Sequence, residues 1–97
     1  MNDAANNPNG SIALGAACTI REVAQLRSQL LSLADRPGPY EIDASAVQSI
    51  DTAGVQVLVA FALDCLERSA RYTWRRSAVL EEAIRVLGVG ALLESPA

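Results

Sequence analysis

The chain alternates three times between a strand-length segment and a helix-length segment, and this order restricts its fold more than any other feature. The predicted segments, in chain order, are strands and helices at Ser11 to Leu14, Thr19 to Asp35, Tyr40 to Ala44, Ala53 to Ala70, Arg71 to Arg75 and Ser77 to Leu87. Strands that alternate with helices of this length favour a mostly parallel sheet joined by right-handed crossovers. The sequence therefore predicts an α/β fold, with a small, mostly parallel or mixed sheet of three to four strands and helices packed on it.

The middle strand carries the clearest pattern. Tyr40, Ile42 and Ala44 alternate with two acidic residues, as expected for a strand with one buried face. It follows Arg36 to Pro39, a Pro- and Gly-rich stop that ends the preceding helix. The polar connection after the strand contains one apolar residue, Val47, which we expect to point inward.

Each predicted helix has an apolar stripe and a recognisable end. Thr19 and Glu22 have the spacing of a capping box at the start of the first helix. Ser77 is the predicted cap of the last helix, and Gly88 its predicted end. The expected inner residues are Ile20, Val23, Ala24, Leu26, Leu30, Leu31 and Leu33 in the first helix, Val55, Leu58, Val59, Ala62, Cys65 and Leu66 in the second, and Leu80, Ile84 and Leu87 in the third.

The length of 97 residues is that of one domain. Residues 1–10 are rich in Asn and lack apolar periodicity, so we expect a flexible leader before a single domain at residues 11–97. The net charge of −3, with basic residues spread along the chain, argues against nucleic-acid binding. The longest apolar run, Val57 to Leu63, is shorter than the roughly 18 residues of a membrane span. No secretory signal is visible, so we expect a soluble, cytoplasmic protein without membrane insertion.

The residue inventory argues against catalysis. The chain contains no His and no Lys, which removes the commonest general base, the commonest metal ligand and the Schiff-base amine. Cys18 and Cys65 are far apart, and we interpret them as small buried hydrophobes. We expect a non-enzymatic protein with no metal and no cofactor.

The turn from Ser49 to Gly54 is the segment most suggestive of function. It joins a strand to a helix, the position at which α/β sheets place their binding sites. Asp51 is placed to accept the free amides of the first helical turn, and the hydroxyl of Thr52 lies at the helix N-terminus, where a phosphate would be stabilised. Gly54 would let the backbone pass close to a neighbouring element. An Asp-Thr pair is also a common structural cap, so the turn alone does not identify a site.

The residues around this turn resemble the STAS family, the domain shared by sulphate transporters and anti-sigma factor antagonists. Ile42-Asp43 matches the family's strand end, Val47 its inward loop residue, and Ile50 to Val55 its signature of an apolar residue, Asp, Ser or Thr, a variable residue and Gly. The closing helix with its Leu87-Gly88 ending is also similar. The resemblance extends over roughly Ser11 to Leu93. It departs from the family in having Thr for the commoner Ser and in lacking an apolar strand in the leader.

The resemblance implies a binding switch. In anti-sigma factor antagonists the hydroxyl residue after the Asp is phosphorylated by a partner serine/threonine kinase, and this position is Thr52 here. The small STAS subunit of the bacterial phospholipid-transport ABC system is also similar, and there the domain binds the cytoplasmic ATPase. A STAS protein of a chemotaxis-type signalling cluster is a third alternative. The implied partner is accordingly an anti-sigma factor or kinase, or a transporter ATPase.

Beyond Asp51 and Thr52, the predicted partner-binding residues are Ala53, Gly54, Gln56, Arg75 and Arg76. Gln56 and Ala60 lie on the outward face of the second helix by helical spacing. Arg75 and Arg76 end the third strand, where an arginine pair would suit an acidic partner or a phosphate, although we favour a solvated strand end as their explanation. The sequence leaves the oligomeric state open.

Overall fold

The computed structural model describes residues 10–93, with the side chains of residues 91 and 92 excepted, so nearly all of the predicted leader lies outside the described residues. Its elements are β1 (Ser11–Ala13), β2 (Ala17–Cys18), α1 (Val23–Ala34), β3 (Tyr40–Ala44), β4 (Ser49–Ile50), α2 (Thr52–Glu67), β5 (Tyr72–Arg76), α3 (Ala78–Leu87) and a final 3-10 helix (Gly90–Leu93). The predicted alternation of strands and helices is confirmed.

The strands form two small parallel sheets. The main sheet has the order β1-β3-β5, and Ile12, Ile42 and Trp74 stand opposite one another across it. The second sheet pairs β2 with β4, through Ala17 with Ser49 and Cys18 with Ile50. The sequence did not predict this pair, because a strand of two residues carries no measurable alternation. It matters for function because β4 leads directly into α2.

The core lies between the main sheet and the helices. The alternation predicted for β3 is confirmed, since Tyr40, Ile42 and Ala44 are all buried. Phe61 of α2 packs between two tyrosine rings, with ring centroids 5.8 Å from Tyr40 and 6.3 Å from Tyr72. Aromatic pairs at these distances stabilise a core beyond the area that they bury. Phe61 therefore fixes α2, and the turn before it, against the sheet.

The first helix begins later than predicted. Thr19 and Glu22 do form the expected capping contacts, but these close a turn before the helix, which starts at Val23. Ile20, Ala24 and Leu31 were wrongly placed on the inner stripe, since all three are exposed, Ile20 and Leu31 by 65% and 58%. The buried residues of α1 are Leu26, Leu30 and Leu33.

The second helix ends at Glu67, before the predicted Ala70, and Ser69 then adopts a left-handed conformation with φ of 57°. Leu66 was wrongly assigned to the core, because it is 66% exposed, while Phe61 is a core residue that the predicted stripe omitted. The last helix follows the prediction more closely, except that Leu87, predicted on its inner stripe, is 40% exposed. The hydroxyl of Ser77 accepts the Leu80 amide at 3.1 Å, and Gly88 ends the helix in a left-handed conformation.

Val47 is buried, as predicted from its place in a polar connection. Cys18 and Cys65 are free and buried, and burial raises the pKa of both thiols. Among residues 10–93 no helix has both the length and the apolar character needed to cross a membrane.

Candidate docking site at the start of the second helix

Asp51 connects two segments that are distant in sequence. One oxygen of its carboxylate accepts the Gly54 amide at 3.1 Å and so caps α2. The other oxygen accepts the Ile20 amide at 2.9 Å, in the turn before α1. These amides, that of Ile20 foremost, hold the pKa of Asp51 below its ordinary value. Asp51 therefore fastens the two helix starts to each other.

The turn that Asp51 holds is itself tightly bonded. The Glu22 carboxylate accepts both the hydroxyl of Thr19, at 2.6 Å, and its amide, at 2.9 Å. The bond from the Thr19 hydroxyl is the main reason that the pKa of Glu22 is lowered. As a result, the backbone of Ile20, whose side chain is exposed, is held beside Asp51, the residue before Thr52. Sequence reasoning missed Ile20 as a surface residue, because its spacing matches the inner stripe of a helix that begins three residues later.

Gly54 is required by close packing inside the domain. A Cβ atom added there would lie 2.0 Å from the backbone oxygen of Cys18 and 2.9 Å from the side chain of Ile50. The first turn of α2 thus lies directly against the β2–β4 sheet. The prediction that Gly54 permits close approach to a neighbouring element is confirmed. Because Gly54 is buried, this element belongs to the domain itself, and the residue offers no surface to a partner.

Thr52 is the first residue of α2 and is exposed. Its hydroxyl makes no hydrogen bond within the part of the chain that the structure describes. The sequence predicted that free amides of the first turn would stabilise a phosphate there. Asp51 accepts one of these amides, that of Gly54, so fewer amides are free than the sequence suggested. A phosphate on Thr52 would also stand beside an ionised carboxylate, and its stabilisation there stays a prediction.

The other predicted partner-binding residues divide into two groups. Ala53 is half-buried and Gln56 exposed, and both lie on the first two turns of α2 beside Thr52. Arg76 instead forms an ion pair with Glu81 at 3.3 Å and stacks over the ring of Trp74. Arg75 is exposed at the position that registers with Asp43. Neither arginine makes a hydrogen bond or ion pair with the Asp51 turn among residues 10–93. Their role in binding a partner stays a prediction.

Because the Asp51 carboxylate accepts two amides, we expect its ionised form to stabilise the folded domain. Its pKa is lowered in the folded state, so its contribution is complete above the ordinary value of 3.8 and is lost as pH falls through the lower folded value. In Asp51→Asn only one carbonyl oxygen remains to accept the two amides. We expect the urea midpoint of this variant to be lower than that of wild type at pH 7, and the difference to shrink below about pH 4.

The measurement is urea unfolding by circular dichroism between pH 7 and pH 3. Asp35→Asn is a suitable control, because it also replaces an aspartate by asparagine, here at an exposed position after the end of α1. The Asp35 side chain makes no hydrogen bond among the described residues. A difference between Asp51→Asn and wild type that stays constant down to pH 3 would contradict this role of the ionised carboxylate.

The fold defines the class of protein as a small α/β domain, with an exposed threonine hydroxyl at a strand–helix turn. Residues 10–93 contain no group of three side chains that could hold a metal ion. A family model described as "Mlab, STAS domain" matches residues 2–94, and the chain therefore belongs to the STAS family. The match takes in most of the predicted leader as well as the span from Ser11 to Leu93. No curated protein matches the chain. STAS domains are in general non-catalytic regulatory modules that mediate protein–protein interactions.

Proposed function

We propose that this chain is a protein-docking module whose docking surface is centred on Thr52, and that phosphorylation of Thr52 controls docking. The observation that supports the proposal is the exposed Thr52 hydroxyl, which makes no hydrogen bond in the described part of the chain and lies beside a fixed turn. Ala53 and Gln56 follow Thr52 on α2, and Ile20 is bonded to the preceding Asp51, so these three residues are the candidates for further contact surface. Binding and regulation are proposed here in place of catalysis.

The arrangement offers a physical route from modification to docking. A phosphate on Thr52 would add close to two negative charges beside Asp51, with Glu22 near enough to interact electrostatically with that carboxylate. Repulsion between like charges would weaken the contact from the Ile20 amide to Asp51. We expect the turn carrying Ile20 to become more mobile. The surface around Thr52 would then be more negative and less well ordered.

The partner proposed first is an anti-sigma factor with serine/threonine kinase activity. The test is incubation of the purified chain with ATP and each candidate kinase encoded near its gene, followed by mass spectrometry. We expect one phosphate, on Thr52. If every candidate kinase leaves Thr52 unmodified, the phosphorylation switch is wrong.

A negative charge at Thr52 should weaken docking even without a kinase. We expect Thr52→Glu to reduce binding of the partner at least roughly tenfold, because it places a charge in the contact area beside Asp51. Thr52→Ser should bind like wild type, since it keeps the hydroxyl. Thr73→Glu is the matched control, because Thr73 is an exposed threonine on β5, and isothermal titration calorimetry is the measurement. Equal losses in Thr52→Glu and Thr73→Glu would show that the effect is one of net charge only.

The second candidate function is that of an accessory subunit of a phospholipid-transport ABC ATPase. It draws on the family match, whose description names Mlab and no anti-sigma factor antagonist. This function predicts a complex with the ATPase that survives purification without any phosphorylation, and that Thr52→Glu disrupts. Co-expression with the transporter ATPase encoded nearby, followed by size-exclusion chromatography, tests it. Elution of the two proteins apart would count against this function and leave the kinase-linked proposal standing.

A further inference from the structure

A second feature of the surface lies next to the Thr52 site. A groove of about 530 Å³ runs between the helices α1 and α2, and its walls are mostly apolar. Its main lining residues are Val23, Leu30, Leu31, Val57, Ala60 and Phe61. The groove follows α1 from Val23 to Ala34, a length of roughly 17 Å at the rise of an α-helix. It begins beside Ala53 and Gln56, so it continues the surface around Thr52.

Several large apolar side chains near the groove are exposed to solvent. Leu31 on α1 is 58% exposed, and Leu63 and Leu66 on the neighbouring turns of α2 are 44% and 66% exposed. A second shallow depression adjoins the groove and is lined by Ala60, Leu63 and Leu66 together with the acidic Asp64 and Glu67. Contiguous exposed apolar surface of this kind marks interaction sites.

The charges at the groove are not balanced. Asp64, at its far end, is paired with Arg68 at 2.9 Å. Arg27, nearer to Thr52, makes no hydrogen bond or ion pair within residues 10–93. The occupant that fits is therefore apolar along most of its contact face and carries a carboxylate opposite Arg27. A space between two neighbouring helices suits a third helix, whose apolar residues at i, i+3, i+4 and i+7 would fill it.

We propose that the groove between α1 and α2 binds an amphipathic helix of the partner protein, with an acidic residue of that helix paired to Arg27. The inference deepens the proposed function and rests on it, because it names the segment by which the partner engages the surface beside Thr52. A helix of about three turns matches the length of the groove. The Thr52 hydroxyl would then regulate an interaction whose apolar contacts lie mainly along the helices.

The test uses a synthetic, terminally blocked helical peptide of about three turns, with leucines at helical spacing and one glutamate placed to meet Arg27. Fluorescence polarisation measures its binding to the purified chain. We expect binding to wild type, and binding roughly threefold weaker when the peptide glutamate is replaced by lysine, as befits one exposed ion pair. The variant Arg27→Glu should reverse this preference and favour the lysine peptide.

Two further variants distinguish binding in the groove from nonspecific hydrophobic binding. Ala60→Glu places a charge in the groove at an exposed position and should weaken binding at least roughly tenfold. Val86→Glu is the control, because Val86 is 66% exposed on α3, outside the groove, and it should bind like wild type. Binding that survives Ala60→Glu, or that ignores the charges at Arg27 and on the peptide, would overturn the proposal.

The outcomes also separate this inference from the proposed function. If Thr52→Glu weakens binding of the partner protein but Arg27→Glu and Ala60→Glu do not, the docking module stands and the groove proposal fails. If the groove variants weaken that binding and Thr52→Glu does not, the docking function centred on Thr52 fails. Light scattering of the free chain tests a different occupant. A dimer that Ala60→Glu dissociates would show that a second copy fills the groove, and it would overturn the proposal of a partner helix.

Discussion

Replacement of Gly54 by alanine should unfold the domain or come close to doing so. The added Cβ would lie 2.0 Å from the backbone oxygen of Cys18, a distance that no pair of unbonded atoms tolerates. The obstructing atom belongs to the backbone of β2, so it cannot move aside as the end of a flexible side chain would. We expect a loss of about 3 kcal/mol or more in the free energy of unfolding, a large share of the total stability of a small domain.

Urea unfolding followed by circular dichroism measures this loss. Gly15→Ala is the matched control, because a Cβ at Gly15 would meet no atom within 4 Å and that residue is exposed. We expect the control to change the midpoint little. Equal midpoints for Gly54→Ala and Gly15→Ala would show that the first turn of α2 leaves room for a Cβ atom beside β2.

Replacement of Phe61 by alanine should be nearly as damaging, for a different reason. Its ring fills the space between Tyr40 and Tyr72 and joins α2 to two strands of the main sheet. Removal leaves a cavity and deletes both aromatic contacts. We expect a loss of about 3 to 5 kcal/mol in the free energy of unfolding, as found for large-to-small changes in protein cores.

The same helix supplies the control for this variant. Leu63→Ala removes an apolar side chain two residues further along α2, where the leucine is 44% exposed. Chemical denaturation should show a small change in Leu63→Ala and a large one in Phe61→Ala. A loss in Leu63→Ala as large as that in Phe61→Ala would contradict the role of Phe61 in fixing α2 against the sheet.

Much of the fold is visible in the sequence because the main elements carry full periods. The five residues of β3 alternate strictly, and the cap at Ser77 and the stop at Gly88 define α3 at both ends. In α2 the periodicity was less informative. The run Val57 to Leu63 is entirely apolar, so spacing alone could not separate its buried face from its exposed one. The omission of Phe61 from the predicted core follows from that ambiguity.

At the site, features within one helical turn were predictable from the sequence, whereas contacts between distant segments were not. The sequence by itself determined that the turn from Ser49 to Gly54 caps a helix, that Thr52 carries a hydroxyl at its start, and that Gly54 marks a close approach. Only the tertiary structure decided that Asp51 also holds the Ile20 amide, 31 residues earlier in the chain, and that Gly54 faces Cys18. Capping depends on residues within one helical turn, which a sequence displays directly. A hydrogen bond between distant segments depends on how the β2–β4 pair brings two loops together, and two-residue strands leave no pattern from which that pairing could be predicted.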